Sequence, residues 1–505
     1  MAISTSDAPS RYKPDPSVMM ALRTPRILVR EVLAGLVVAL ALIPEAIAFS
    51  IIAGVDPRVG LFSTFVMAIT IAFIGGRPAM ITGATGAVAL VIAPVAREYG
   101  LEYLIATVIL AGVFQLVLSA LGVAKLMRFI PRSVMVGFVN ALAILIFTSQ
   151  LPQLLGVPFM VYPLVALGVI IMVVMPRLTK VVPAPLVAIV VLTIITVTVA
   201  IQVPTIGDQG DLPRSLPTLF FPDVPLNLET FMIIAPYALG MAMVGVLESL
   251  MAAKLVDEIT DTHSRKTQEG FGQGVANIIS GFFGGMGGCA LIGQTMINVK
   301  ASGARTRIST FLAGIFLMVL VIGLGDVLAV VPMAALVSVM IIVAVLTFDW
   351  HSIRLSTLKW MPKSETTVMV ATVIVIVATH NLAIGVVIGV VIAMVAFARR
   401  VAHLVTVERT LPEGETVPTA LYTVDGALFF ASSHDLTTQF EYTEDPERII
   451  IDISSSHIWD ASTVAALDAI TNKYEHLGKR VVIVGMNEAS SLIHGRLGGN
   501  LGGGH

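Results

Sequence analysis

Fourteen apolar stretches, most of them close to the ~20 residues that a helix needs to cross a bilayer, leave this chain few ways to fold. They fall at about 31–53, 57–75, 79–96, 103–122, 131–149, 160–175 and 184–201, and then at 230–253, 270–285, 289–299, 308–325, 328–347, 366–380 and 382–398. A polar, Pro-containing loop from Gln202 to Leu228, with Asp208, Asp211 and Asp223, divides them seven and seven. In lipid every backbone N–H and C=O must be satisfied within the protein, so apolar stretches of this length fold as helices. Composition agrees: 56% of the residues are hydrophobic and 13% charged, where a soluble domain carries about 25% charge.

Charge placement tests the count independently. With both ends of the helical region on the cytoplasmic side, the N-terminal segment 1–30 holds Arg11, Lys13, Arg23, Arg26 and Arg30. The other inner loops hold Arg77; Lys125, Arg128 and Arg132; Arg177 and Lys180; Lys254, Arg265 and Lys266; Lys300, Arg305 and Arg307; Arg354, Lys359 and Lys363; Arg399 and Arg400. The outer loops keep Arg58, Arg97 and Arg214. That asymmetry follows the positive-inside rule and places a multi-pass protein in the inner (plasma) membrane, with both termini cytoplasmic. The net charge of −2 is itself uninformative about nucleic acid; no basic stripe stands beside aromatics, and no nucleic-acid partner is expected. One cysteine, Cys289, excludes an intrachain disulfide. Residues 1–28 lack an apolar core with a small-residue cleavage site, so no removable signal peptide is expected.

Seven spans per half make the second half enter the membrane from the opposite face, which predicts an inverted repeat: 31–201, then 229–401, within a transmembrane domain 31–401. Ala79-x-x-x-Gly83-x-Thr85 in the third stretch matches Cys289-x-x-x-Gly293-x-Thr295 in the tenth. Pro44-Glu45-Ala46 in the first corresponds to Leu247-Glu248-Ser249 in the eighth. Glycine crowds Gly75 to Gly86 and Gly284 to Gly293, in stretches too short to span as one regular helix. Interrupted segments at matching places in two halves point to a binding site. A half-helix beginning there offers unpartnered N–H groups and about +0.5 charge, suited to a small anion. The expected donors are the backbone at Ala84, Thr85 and Gly86 and at Gln294, Thr295 and Met296, with the Thr85 and Thr295 hydroxyls and the Gln294 amide. Close helix packing through small residues is the alternative reading of these glycines.

Glu45 and Glu248 are the carboxylates placed deep in the membrane, at about 2.5–3.5 kcal/mol each on insertion scales. A glutamate there that gains and loses a proton is a coupling element for proton-driven transport; a hydrogen-bonded structural role is the alternative. Lys254 reads as an interfacial anchor, Cys289 as a small packing residue, and His380 as a solvated hairpin tip. No metal-ligand or nucleophile–base spacing occurs, and the Gly284–Gly293 run lacks the strand, helix and acidic residue of a dinucleotide site. Neither an enzyme nor a cofactor is expected.

Residues 415–505 read as a small α/β domain. Its expected elements are a hairpin turning at Asp425-Gly426 between Ala420–Val424 and Ala427–Ala431, a short helix, a strand Arg448–Ile453, a helix Ser462–Leu477, a strand Arg480–Met486 and a helix from Glu488. Ser462 is expected as an N-cap, and a phosphate added there would sit at a helix N-terminus, which tolerates negative charge.

The run Leu42-Ile43-Pro44-Glu45-Ala46-Ile47-Ala48-Phe49, with Ala53-Gly54-Val55-Asp56-Pro57-Arg58-Val59-Gly60-Leu61-Phe62, resembles the first-span signature of SulP permeases. That family includes bacterial sulfate, bicarbonate and dicarboxylate carriers together with pendrin and prestin. Leu247-Glu248-Ser249-Leu250-Met251-Ala252-Ala253-Lys254 fits as well, as does Gly272-Gln273-Gly274-Val275-Ala276-Asn277 followed by Ala304-Arg305-Thr306-Arg307. Ile451-Asp452-Ile453-Ser454 with Asp460-Ala461-Ser462 resembles a STAS domain. The resemblance implies a seven-plus-seven inverted repeat divided into core and gate, an elevator-like movement, and a homodimer. Its anion pocket would comprise Glu45, Phe49, Ala84, Thr85, Gly86, Glu248, Gly293, Gln294 and Thr295. Many members carry arginine where Gln294 stands, so this pocket lacks their fixed cation. Sodium-coupled bicarbonate carriers place a hydroxyl where this chain has Ala252, which points to a proton as coupling ion. STAS relatives that are phosphorylated carry the serine at the position of Ser462, so the resemblance implies Ser462 as a candidate regulatory phosphosite and a cytoplasmic protein partner bound through that domain.

The expected function is proton-coupled symport of a small anion, a carboxylate or dicarboxylate ahead of bicarbonate and sulfate. The alternatives are a bicarbonate or sulfate transporter or exchanger, a nucleobase-type carrier of the same fold, an anion channel, and a membrane-anchored signalling scaffold.

Overall fold

The computed structural model describes residues 17–122, 130–178, 183–402, 405–412 and 417–498; Arg11, Lys13, Lys125, Arg128 and Lys180 of the charge pattern lie outside the described residues. The chain divides into two compact units, Met1–Val390 and Val391–His505.

In the first unit the helices follow the apolar stretches. The first two segments are Pro25–Ala53 and Pro57–Ile74, parted by Gly54 at φ 80°. The third and fourth run together as Gly86–Ala120 and break at Gly100, whose φ of 86° only glycine adopts easily. The fifth to seventh are Arg132–Gln150, Val161–Leu178 and Ala184–Thr198. In the second half the eighth segment, Leu228–Thr260, starts at an Asn227 cap and runs well past its expected end. The ninth is Lys266–Phe282. The tenth comprises Ile292–Met296 and, directly after it, a π-turn Ile297–Ala301. Then come Arg307–Gly323, Met333–Thr347, Lys363–Thr379 and Leu382–Ala402. The twelfth begins later than expected because Gly325–Ala329 forms a separate turn ahead of Pro332. Seven described helices are long and apolar enough to cross a membrane, and three shorter ones are apolar.

These helices sort into two bundles. The first to fourth pack with the eighth to eleventh, and the fifth to seventh with the twelfth and thirteenth, which is the expected division into core and gate. Small residues set the contacts within the core: Gly112 of the fourth segment and Gly274 of the ninth lie so close that a Cβ on either would meet the other's carbonyl within 2.8 Å.

Loops assigned to one side of the membrane meet one another. Arg77 pairs with Asp257 at 3.2 Å and donates to Thr260 and Thr262. The Arg307 guanidinium donates to the carbonyls of Ile71, Ala72 and Gly75, and Glu31 accepts from the amides of Arg305 and Thr306. On the other side Arg58 reaches Asp211, Arg97 donates to Ile52, and the Asp223 amide donates to Glu102. Lys254 is exposed beside Glu258, and His380 is exposed at a helix end.

The helix breaks stand where glycines crowd. Residues 75–85 and 283–291 are not helical. There Thr82–Gly83 pairs antiparallel with Cys289–Ala290, so the second half's lead-in crosses the first half's.

The second unit holds a sheet in the order Thr406–Thr410, Thr419–Leu428, Arg448–Ile458, Arg480–Val484, the first pair antiparallel and the others parallel. Helices Ser433–Thr438, Ala461–His476 and Glu488–Leu497 accompany it. The hairpin expected at Asp425-Gly426 does not form. Those residues lie inside one ten-residue strand, at a bulge where Gly426 takes φ 120°. Arg448–Ile458 pairs parallel on both sides of the bulge and keeps the strand running. The antiparallel partner is instead Thr406–Thr410, upstream of the expected start at 415. The N-cap is Asp460, whose Oδ1 accepts from the Thr463 amide, and not Ser462, which is exposed in the first turn. A carboxylate two residues earlier reaches the free amide at the cap position, a geometry Ser462 has already turned past.

Asp445 is buried and accepts from Tyr422, Tyr474 and Arg409 at 2.7, 2.5 and 2.8 Å. Burial pushes the pKa of both tyrosine hydroxyls up, so they stay donors at neutral pH. Asp445→Ala is expected to strand all three donors and to destabilise this unit by about 3 kcal/mol. Hydrogen exchange of the full chain, read over residues 419–484, checks it: the mutant's protection should fall there and nowhere in residues 25–120.

Candidate functional site

The paired strands bring both breaks to one place, and side chains from the second, eighth, tenth and eleventh segments satisfy part of their irregular backbone. The Ala84 amide donates to Thr64, and the Ala290 amide to Ser249. The Leu291 amide donates to the Ile81 carbonyl, and the Ile81 amide to the Thr295 hydroxyl. Asn298 donates to the Ala79 carbonyl, and Thr310 to that of Met80. Gly288 is required here, since a Cβ on it would stand 1.9 Å from the Gly83 carbonyl oxygen.

From this crossing two helices start. Thr85 caps the first, accepting from the Val88 amide at 3.3 Å. Leu291 stands at the cap of the second, without a side-chain cap bond. Helix geometry leaves the first-turn amides without intrahelical acceptors: Gly86 and Ala87 in one, Ile292, Gly293 and Gln294 in the other. The expected donor set is therefore corrected. The Ala84 amide is taken by Thr64 and the Thr295 amide by the Leu291 carbonyl, while Met296 lies past the first turn. The Thr295 hydroxyl, fully buried, braces Ile81 instead of facing a ligand. Matching Thr85 to Thr295 by motif is off by about one helical turn, because Thr85 is a cap and Thr295 lies inside its helix.

Glu45, from the first segment, interacts with the Gln294 side chain. Glu248, from the eighth, accepts from the Cys289 thiol at 2.9 Å, and the thiol lies 3.2 Å from the Thr85 hydroxyl. The Val88 amide, Thr85, Cys289 and Glu248 thus form one hydrogen-bonded chain. Each glutamate keeps 7% of its surface accessible, whereas Ser50 and Ser249 beside them keep none. Phe49 covers Gly86, its ring 3.0 Å from where a Cβ would stand. A Cβ on Gly293 would meet nothing within 4 Å, so the second helix opens onto free space. Thus Glu45, Phe49, Ala84, Thr85, Gly86, Glu248, Gly293, Gln294 and Thr295 all gather at the crossing, Ala84 and Thr295 as parts of its frame. Among the described residues no group of His, Cys, Asp and Glu could hold a metal ion.

The expectation for Cys289 was too bland: its thiol is a hydrogen-bonding link, as well as a small group in a tight place. Sequence reasoning passed over Glu269 and noted Gln273 and Asn277 only within a family-like run, with no role; all three are fully buried on the ninth segment. Polar residues spaced four apart along a helix of a membrane chain were the available signal. A cavity of about 950 Å3 lies elsewhere, by the start of the second segment, with Arg58 and Arg214 opposed by Asp211 and Asp326.

The sulfate permease family profile matches residues 28–162 and 160–372, and the STAS domain profile residues 412–493. YbaR of Bacillus subtilis (strain 168), a protein named for sulfate transport, is 51% identical over 464 residues, covering 92% of this chain and 96% of the relative. The bicarbonate transporter BicA of Picosynechococcus is 26% identical over 507 residues, covering 90% and 88%. In fold, the chain is similar to the transmembrane domain of a cyanobacterial BicA, with TM-score 0.62 and 24% identity over 73% of this chain and 97% of that one. It is also similar to the murine anion transporter Slc26a9 in the inward-facing state, with TM-score 0.80 and 16% identity over 96% and 88%. The chain is therefore a multi-pass membrane protein of the sulfate permease family, an anion-transporter family, and carries a STAS domain at its C-terminal end.

Proposed function

We propose that this chain is a secondary active transporter that moves a small anion together with a proton. The anion is of carboxylate-type chemistry, a carboxylate, dicarboxylate or bicarbonate, ahead of sulfate. The observation that carries the reading is the joint position of two helix starts and two glutamates at one crossing. First-turn amides of the two helices offer neutral donors and about half a positive charge each, without a cationic side chain. Gln294 supplies a neutral amide donor, a planar group suited to a carboxylate oxygen. The relatives' names, bicarbonate for one and sulfate for another, mark the range of anions within which this pocket chooses.

Glu45 and Glu248 give the coupling its physical reason. At an effective dielectric near 20, two like unit charges about 5 Å apart repel by about 3 kcal/mol. An anion entering beside a charged Glu248 meets that repulsion, and one entering with a proton does not. The Thr85–Cys289–Glu248 chain ties the carboxyl to the cap of the helix that faces the anion. Transport would proceed by an elevator-like shift of the core bundle against the gate, in a homodimer whose termini and STAS domain lie in the cytoplasm, where a protein partner would bind. Ser462, exposed in its helix, is the candidate phosphosite there.

Purified protein in liposomes, given a panel of radiolabelled anions with and without an inward proton gradient, tests this. Concentrative uptake that requires the gradient is expected; uptake indifferent to it sinks the coupling, large unitary currents indicate a channel, and no flux of any anion indicates a scaffold. Glu248→Gln is expected to abolish gradient-driven accumulation while preserving anion exchange, and unchanged accumulation would remove its coupling role. Thr85→Val loses a helix cap of about 1 kcal/mol, so KM should rise roughly fivefold in initial-rate uptake.

A further inference from the structure

The ninth segment touches both broken lead-ins with one stripe of polar side chains. Glu269, Gln273, Asn277 and Ser280 stand four, four and three residues apart, so they share a helix face. All four are fully buried. Glu269 accepts from the amides of Gly76 and Arg77, at the first break, at 2.7 and 3.0 Å. Gln273 donates to Glu269 at 2.8 Å and to Thr82, in the first strand, at 3.1 Å. Asn277 grips the other strand's lead-in: its Oδ1 accepts from the Gly288 amide at 2.8 Å, and its Nδ2 donates to the Gly288 carbonyl at 3.1 Å. The same Nδ2 donates to Gln115 of the fourth segment at 2.8 Å. Ser280 donates to Ser63, which in turn donates to the Gly287 carbonyl at 2.7 Å.

We infer that this stripe positions the anion site, and that Asn277 is its specificity-setting member. The crossing has only a two-residue ladder of its own, too short to fix its register. A primary amide that pairs with both the N–H and the C=O of one residue substitutes for the neighbouring strand that Gly288 lacks. Gly288 precedes Cys289, and the second helix begins four residues after Gly288. A shift at Gly288 therefore moves the Cys289–Glu248 bond and the first-turn amides of Ile292, Gly293 and Gln294 together. The stripe reaches the first half through Gly76, Arg77 and Thr82, so one rigid helix sets the separation of both helix starts. Separation decides which anion fits between them. Asn277 touches neither the glutamates nor the first-turn amides; it acts through the backbone it holds.

The inference rests on the anion site proposed above, but its test has a readout independent of transport. Cys289 is the only cysteine in the sequence and is fully buried one residue from the clamp. Its rate of alkylation by N-ethylmaleimide, in the full chain reconstituted in liposomes, reports the order of the crossing. Asn277→Ala is expected to raise that rate at least tenfold, to raise KM more than it lowers kcat, and to flatten the preference among labelled bicarbonate, acetate and sulfate. Asn277→Asp keeps the acceptor for the Gly288 amide and loses both donations, so it should fall between wild type and Asn277→Ala. It also serves if the alanine variant does not fold. Asn140→Ala is the control: Asn140 is equally buried and makes the same kind of bonds, to Ser352 and the Asp349 amide, in the other bundle. It should match the loss of thermal stability without changing alkylation or anion preference. Wild-type alkylation rates in both folded Asn277 variants would overturn the inference. So would faster alkylation with KM and anion preference unchanged, because the clamp would then hold the crossing without setting the site. If wild-type protein moves no anion, the site reading falls, and the alkylation series still decides whether Asn277 orders the crossing.

Discussion

The antiparallel contact between Thr82–Gly83 and Cys289–Ala290 is the smallest sheet a protein can make, and the core bundle is organised around it. Two helices that start inside a membrane protein leave irregular backbone ahead of them, and in lipid no water is present to satisfy it. The contact solves part of that problem by letting each lead-in satisfy the other. Thr64, Ser249, Thr295, Asn298 and Thr310 satisfy part of the rest, each reaching a backbone group of the lead-ins from a segment packed around the crossing. Gly288 permits the approach, because a side chain there would collide with the Gly83 carbonyl.

This solution concentrates polar groups in a protein that otherwise excludes them. Glu45 and Glu248 come from corresponding segments of the two halves but engage the crossing differently. Glu45 meets a side chain of the second half-helix directly, while Glu248 reaches the first half-helix through Cys289 and Thr85. The two halves thus meet the crossing with different chemistry. Such a difference suits the proposed coupling, in which one carboxyl would serve the proton while the other would help to shape the pocket. The same economy places Glu269 against two backbone amides, where a carboxylate has strong donors and a structural task.

Arginines follow the same logic at one end of the core. Arg77 and Arg307 entered the charge pattern as loop residues, and both are found turned inward. Arg77 lies nearly sealed against Asp257, and Arg307 caps the carbonyl end of the second segment. A guanidinium suits this place because its planar fork of donors can satisfy several helix-terminal carbonyls at once.

The sequence by itself determined the number of segments, their grouping into two halves, the places where helices break, and the two glutamates, because hydropathy, glycine crowding and a charge in an apolar run are local properties. It also carried the small α/β unit, although it misread Asp425-Gly426, a pair whose local preference for a turn yields to a parallel partner strand on both sides. Only the tertiary structure decided which amides remain free, that Thr295 braces while Thr85 caps, that Asp460 and not Ser462 caps its helix, and that Cys289 links Glu248 to Thr85. Those outcomes depend on hydrogen bonds between residues as many as 214 positions apart, and on a register shift of one helical turn between the halves. A hydrogen bond is set by the last ångström of packing between distant segments, and nothing in the order of residues along the chain measures that distance.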